Sequence, residues 1–365
     1  MSDRMTRGNA AQKTFAWLDD RFRISPLIEF MRHKYVPVHR HTVWYYMGGV
    51  ALFLFIVQVV TGILLVLYYQ PNQDSAFESV RFITTKVKFG WLIRSVHSWS
   101  ANLMVFFVFV HMFSTFFTRA FRKPRELTWL TGFVLMVLAL GFGFTGYLLP
   151  WNELAFFATK VGTDITGAVP LVGDALKVLL RGGSDVTGAT LSRFYAIHIA
   201  LLPAIFTGIL LLHLLFVQRQ GMHEPEYVQK LPNERKKLIP FFPNFLLRDT
   251  LLWLIVLNIL IFLAVFFPWD LGEKADPFAS APQGIRPEWY FMFMFQTLKL
   301  IPGHVLFMEG EVLGVLVFGL AGVAWMFVPF WEMKRRGANR PRPMTLIGVC
   351  AILYIIVMTI WGYLV

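Results

Sequence analysis

Charge is scarce in this sequence and cysteine is nearly absent. Asp, Glu, Lys and Arg make up 15% of its 365 residues, where a soluble domain carries roughly a quarter. Cys350 is the single cysteine. That excludes, within this chain, a disulfide, a cysteine zinc site, an iron–sulfur cluster and a C-x-x-C-H haem attachment. No tandem repeat or low-complexity tract is present. Met1–Ala16 is polar and lacks an apolar h-region, so no signal peptide is expected.

What is there is hydrophobicity, at 56% of the residues. Apolar runs of roughly 18 residues or more recur at His41–Tyr69, Trp91–Thr118, Leu127–Leu149, Leu191–Val217, Thr250–Pro268, Val312–Trp331 and Thr345–Val365. Each is long enough to cross a hydrocarbon core of about 30 Å as a helix. The expected fold is an all-α polytopic membrane protein with seven transmembrane helices.

The net charge of +12 would suit nucleic acid, but its placement points to a membrane. Lys and Arg cluster before the first span, eight of them up to Arg40. They cluster again in "RAFRKPR", "RQGMHEPEYVQKLPNERKK" and "KRRGANRPR", while the loops after spans one, three and five are nearly balanced. This positive-inside alternation puts the N-terminus and the basic loops in the cytoplasm. "WLDDRFRISPLIEFMRHKYV" mixes polar and apolar residues, as an amphipathic helix lying on the membrane surface does.

Three parts follow: residues 1–40, a cytoplasmic segment; 41–219, four spans; and 220–365, a charged, proline-bearing linker with three spans. The outer loop Pro150–Thr190 is about forty residues long, and loops of that length are usually functional. Its turn-rich "TGAVPLVGDALKVLLRGGSD" reads as short surface helices.

Span two carries His97 and His111, and span four carries His198 and His213. At roughly 100° and 1.5 Å per residue, the first pair is offset by about −40° and the second by about +60°, each with a rise of about 21–22 Å. Each pair lies broadly on one face, with one histidine towards each side of the bilayer. Spans two and four run in the same direction, so the histidines can meet in two facing pairs. A lone intramembrane histidine more often makes an interhelical hydrogen bond. Four at matched depths are another matter, since polar groups there are costly and tend to be functional. Two facing neutral imidazoles are the axial ligands of a six-coordinate haem. Zinc is disfavoured because its sites usually need three or four protein ligands.

Gly48 and Gly62 in span one, and Gly132 and Gly146 in span three, repeat the fourteen-residue spacing. Glycines in helices usually mean close packing; matched to the histidines, they suggest gaps where a porphyrin edge lies against bare backbone. The first four spans thus read as a four-helix dihaem bundle, with a three-helix C-terminal part. Arg94 lies three residues before His97 and so on the same face. It either pairs with haem propionates or snorkels to the interface.

"IRSVHSWSANLM", "FRKPRELTWLTG", "GFTGYLLPW" and "LSRFYAIH" resemble cytochrome b of the quinol-oxidising cytochrome bc and bf complexes, most closely the bf branch. From Val228 on, "ADPF" and "PEWY" resemble bf subunit IV, fused here to the first block, while "IPFFPNFLLRDT" looks like the bc branch. The resemblance implies a lower-potential haem b on His97 and His198 near the outer face. A higher-potential haem b would then sit on His111 and His213 near the cytoplasm. It makes Pro287, Glu288, Trp289 and Tyr290 the quinol-oxidation motif, with Glu288 accepting a quinol proton and Tyr147, Pro150 and Trp151 forming the other wall. It implies a Rieske iron–sulfur protein and a c-type cytochrome as partners, and a homodimeric complex. The setting implied is a bacterial cytoplasmic membrane, with membrane lipid around the chain. No nucleic acid is expected.

Departures concern the inner quinone site. Where the bf branch has a cysteine that binds an additional haem, this chain has Tyr46, so covalent attachment there is ruled out. Where the bc branch has a quinone-contacting histidine, this chain has Gln218. Arg248 and Asp249 match a Lys–Asp pair of that branch and are either quinone contacts or an interfacial ion pair. The bc branch's eighth span has no counterpart in the runs above. Two other classes remain open: a dihaem membrane anchor of a dehydrogenase or reductase, which leaves "PEWY" unexplained, and a transporter or channel with histidines in its pathway, which predicts no haem.

Overall fold

In hydrocarbon a chain must satisfy its own N–H and C=O groups, so apolar runs of this length fold as helices. The computed structural model describes residues 9–333 and 342–365. Sixteen α-helices occur among the described residues: α1 Ala10–Phe22, α2 Ile24–Arg32, α3 Met47–Val66, α4 Ala76–Thr85, α5 Gly90–Thr118, α6 Glu126–Leu148, α7 Glu153–Gly167, α8 Gly173–Arg181, α9 Gly188–Ala196, α10 Leu202–Gln220, α11 Glu226–Gln229, α12 Leu246–Phe266, α13 Trp289–Leu300, α14 Gly310–Met326, α15 Val328–Met333 and α16 Arg342–Leu364.

Six helices are long and apolar enough to cross a membrane: Thr42–Val66, Gly90–Thr118, Glu126–Leu148, Gly188–Gln220, Phe241–Phe266 and Pro343–Leu364. The sixth expected span is the shorter apolar α14, which stops at Met326 where Phe327 leaves helical geometry (φ −91°, ψ 9°). The basic run at 334–341 and residues 1–8 lie outside the described residues.

The first four spans pack as α3 against α5 and α6 against α10. Their shared core is Val50, Leu54, Met104, Leu135, Ala139 and Phe206, and it extends to Val256 and Leu260 of α12. The opposite faces of the spans expose apolar side chains such as Leu251, Ile255 and Phe262 on α12, as helices facing lipid do. The amphipathic N-terminal segment is two helices, neither with a buried residue; Asn9 caps α1 in a capping box with Gln12.

Two devices on the basic-loop side tie the linker and the last spans to the bundle. A short strand Tyr35–Pro37 pairs antiparallel with Leu238–Pro240. Arg119 and Arg122, after α5, hold Glu332 at 2.9 and 2.7 Å. On the other side the loop 150–190 folds into α7 and α8, of which α8 is the one short helix in the turn-rich stretch where several were expected. Its core of Trp151, Phe156, Leu191 and Phe194 is buried. Arg181 is also buried there, donating to Thr163 Oγ1 and to the Lys160 and Ser184 carbonyls at 2.7–2.9 Å.

Candidate functional site

His97 and His111 stand on α5, and His198 and His213 on the fourth span. His198 sits in a π-helical turn, Ile197–Leu201, between α9 and α10. A π-turn takes up one extra residue relative to an α-turn. The fifteen-residue step from His198 to His213 therefore acts as fourteen, and the +60° offset expected for a regular helix becomes about −40°, as for His97 and His111. His97 faces His198, and His111 faces His213.

The spaced glycines lie where these rings need room. A Cβ at Gly48 would come within 3.0 Å of His111 Cε1, and one at Gly132 within 3.2 Å of His213 Cε1. At the other depth the distances are 3.4 Å from Gly62 to His97 and 2.6 Å from Gly146 to His198. Each histidine thus rests on bare backbone of the neighbouring span, two at each depth.

Three histidines also have a hydroxyl at Nδ1. Thr61 Oγ1 is 2.8 Å from His97, Thr145 Oγ1 3.1 Å from His198, and Thr131 Oγ1 3.0 Å from His213. His111 Nδ1 is buried with no hydrogen-bond partner among the described residues.

A cavity of about 670 Å³ opens around His111 and His213, lined also by Gly48, Gly132, Arg125, Gln218, His223 and Asp249 among others. That is within the roughly 300–1,000 Å³ of cofactor and ligand sites. Asp249 Oδ1 is buried without a hydrogen-bond partner among the described residues, and a Cβ at Gly49 would sit 2.5 Å from this carboxylate. Arg248 is exposed instead, and no ion pair joins the two among the described residues, so the ion-pair reading fails. Burial pushes the His223 imidazole down to about 4, with the Arg125 guanidinium adding to the effect. His223 is therefore neutral at physiological pH. Tyr46 stacks on Phe245 at 4.6 Å.

At the other end Pro287 and Glu288 lead into α13. Trp289 Nε1 donates to Asn102 Oδ1 of α5 at 2.9 Å, which pins the segment against the bundle. Tyr290 is buried, with its hydroxyl where a Cβ on Gly143 would be. Tyr147, Tyr290 and Tyr363 surround Glu288, and burial pushes its carboxyl up to about 7. The Ala275 N–H bonds the Trp151 carbonyl at 3.1 Å and the Glu153 N–H bonds the Glu273 carbonyl at 2.9 Å. These bonds join the outer loop to the segment before Pro287. Trp151 itself is only 1% exposed, so it supports this wall from within rather than facing the open side. Pro150 is partly exposed beside it.

Arg94 does not snorkel. It is buried and donates to the Trp269 and Asp270 carbonyls at 2.7 and 2.9 Å, holding the loop after α12.

Sequence reasoning missed the three threonines, Gly49, Gly143, Arg125, His223 and Tyr363. The threonines had a signal: "TG" recurs at Thr61–Gly62, Thr131–Gly132 and Thr145–Gly146, with Met47–Gly48 as the exception.

Imidazole pairs at two depths, with a carboxyl half-buried at one end and a polar-floored cavity at the other, are what a multi-span redox membrane protein needs. The family model for cytochrome b/b6/petB matches residues 31–221, and that for cytochrome b(C-terminal)/b6/petD matches 274–365. A cytochrome bc complex cytochrome b subunit from Chlorobaculum thiosulfatiphilum is 46% identical over 94% of this chain and 79% of its own length. Cytochrome b6 of Synechococcus sp. (strain JA-3-3Ab) is 44% identical over 58% of this chain and 99% of its own. A chain of a hyperthermophilic respiratory Complex III superposes with a TM-score of 0.83 at 27% identity, over 95% of this chain and 91% of that one. The chain belongs to the cytochrome b/b6 family. With that membership come b-type haem binding, a place in the membrane and association with other subunits.

Proposed function

We propose how this chain works as the cytochrome b subunit of a bc/b6f-type quinol:cytochrome c oxidoreductase. Quinol is oxidised beside Glu288 at the outer face, and quinone is reduced in the cavity of Gln218, His223 and Asp249 at the cytoplasmic face. The observation that carries this reading is the pair of facing histidine couples stacked between the two sites. His97 with His198 would hold the outer haem b, and His111 with His213 the inner one. The glycine backbones under all four rings, and the cavity at the inner couple, fit such groups. When bound, two haems there would carry electrons across the membrane.

Quinol oxidation releases two protons and two electrons. Glu288 fits the proton acceptor because its carboxyl ionises near neutrality, where general base catalysis works best. Tyr147 and Tyr290 shape the apolar wall around it, with Pro287 and Trp289 fixing its approach and Pro150 and Trp151 backing the loop. One electron leaves to a Rieske iron–sulfur partner and on to a c-type cytochrome; the other crosses the membrane. At the inner face Asp249 and neutral His223 line the space where quinone takes up protons from the cytoplasm. The basic clusters support a cytoplasmic N-terminus in a bacterial inner membrane, and the complex is a homodimer. Pyridine haemochrome analysis of the purified complex should return two b haems per copy of this chain. A value of one, or none, would overturn the assignment.

A further inference from the structure

Three of the four candidate ligands share a support that the fourth lacks. Each threonine hydroxyl is committed to a carbonyl one turn back: Thr61 to Val57 at 2.7 Å, Thr131 to Leu127 at 2.9 Å and Thr145 to Gly141 at 2.8 Å. With its hydrogen so placed, the oxygen can only accept from the imidazole. The proton of His97, His198 and His213 therefore sits on Nδ1, with the Phe142 and Thr128 carbonyls as further acceptors for His198 and His213, and Nε2 keeps its lone pair for iron. A hydrogen bond of this kind also makes the imidazole a stronger donor. At the corresponding place before Gly48 stands Met47, and His111 Nδ1 has no acceptor among the described residues.

The geometry at the fourth position is otherwise the same. In all four glycine–histidine contacts Cε1 is the nearest ring atom, at 2.6–3.4 Å from the glycine's ideal Cβ. The residue before the glycine is threonine at three positions and methionine at the fourth.

We propose that Thr61, Thr131 and Thr145 are positioning residues that strengthen their histidines as iron ligands, and that Met47 leaves His111 as the one weaker donor, drawing the potentials of the two haem sites apart. A stronger donor stabilises ferric over ferrous iron and lowers the midpoint potential, one of the levers a protein has over haem. The outer site has two threonine-backed ligands; the inner has one. Electrons are thereby biased inward, from Glu288 towards the Asp249 cavity. The inference rests on the dihaem reading above.

The test is potentiometric titration of both haems in the purified complex, with low-spin electron paramagnetic resonance spectra of each. Thr61→Val keeps the side chain's shape and removes the acceptor; Thr61→Ser keeps it. Thr61→Val should raise the outer midpoint only, and Thr131→Val the inner only. Each shift should be on the order of tenfold in the oxidised-to-reduced ratio, 59 mV for a one-electron couple. Serine at either position should restore the parent value. Met47→Thr should lower the inner midpoint and narrow the gap. If a valine variant loses its haem, the serine variant and Met47→Thr still decide the matter. Unchanged midpoints with both haems bound, or equal shifts in Thr61→Val and Thr61→Ser, would overturn the proposal. A parent complex with fewer than two haems would instead overturn the dihaem reading beneath it.

Discussion

Replacing Glu288 by Gln keeps the side chain's size and removes its capacity to accept a proton. Burial puts this carboxyl at about 7, with Tyr147 of α6, Tyr290 of α13 and Tyr363 of α16 facing it and Arg286 lying over the Tyr363 ring at 5.6 Å. Because that value is raised, the neutral form dominates below it and the charged, proton-accepting form above it. A group titrating at about 7 is roughly one-tenth ionised at pH 6 and nine-tenths at pH 8. Proton acceptance by Glu288 should therefore make quinol-driven reduction of the outer haem rise about tenfold between those values, with the inner quinone site blocked. In Glu288→Gln the rate should fall by about 10²–10⁴-fold, the usual weight of one general base, and lose that slope. The haem spectra should be unchanged, because none of the four histidines lies on α13. A Glu288→Gln complex with the parent rate, or with the parent pH slope, would refute the reasoning.

Replacing His97 or His198 should remove the outer haem, and replacing His111 or His213 the inner, read as separate alpha-band losses; equal loss of both from every folded variant would contradict the pairing. Gly146→Ala should displace His198, because the new methyl would lie 2.6 Å from its ring, whereas Gly62→Ala at 3.4 Å should keep its haem. Overpacking of the former kind costs about 1–3 kcal/mol, and haem content per chain reports it. All haem should extract into acid–acetone, since Tyr46 cannot form a thioether and Cys350 is exposed on α16; haem staining that persists on the denatured chain would disprove this.

The spans, the four histidines and the glycine spacing are legible in the sequence because they are local. Length in residues fixes whether a helix crosses lipid, and a turn of about 100° per residue fixes which residues share a face. "PEWY" was legible for a different reason, a resemblance carried by consecutive residues. The rest depends on what a neighbouring helix offers. The π-turn at His198 cannot be read from a regular period, and it is what gives the fourth span's histidines the same offset as those of α5. A threonine that faces lipid and one that faces His97 look alike in a sequence; only the packing of α3 on α5 brings Thr61 to Nδ1 at 2.8 Å. Packing likewise turned Arg94 onto the carbonyls after α12, parted Asp249 from Arg248, and buried Trp151 inside the outer loop. The sequence by itself determined which groups could meet at which depth. Tertiary structure decided their hydrogen-bond partners, because a partner more than a turn away in the chain is set by how helices pack.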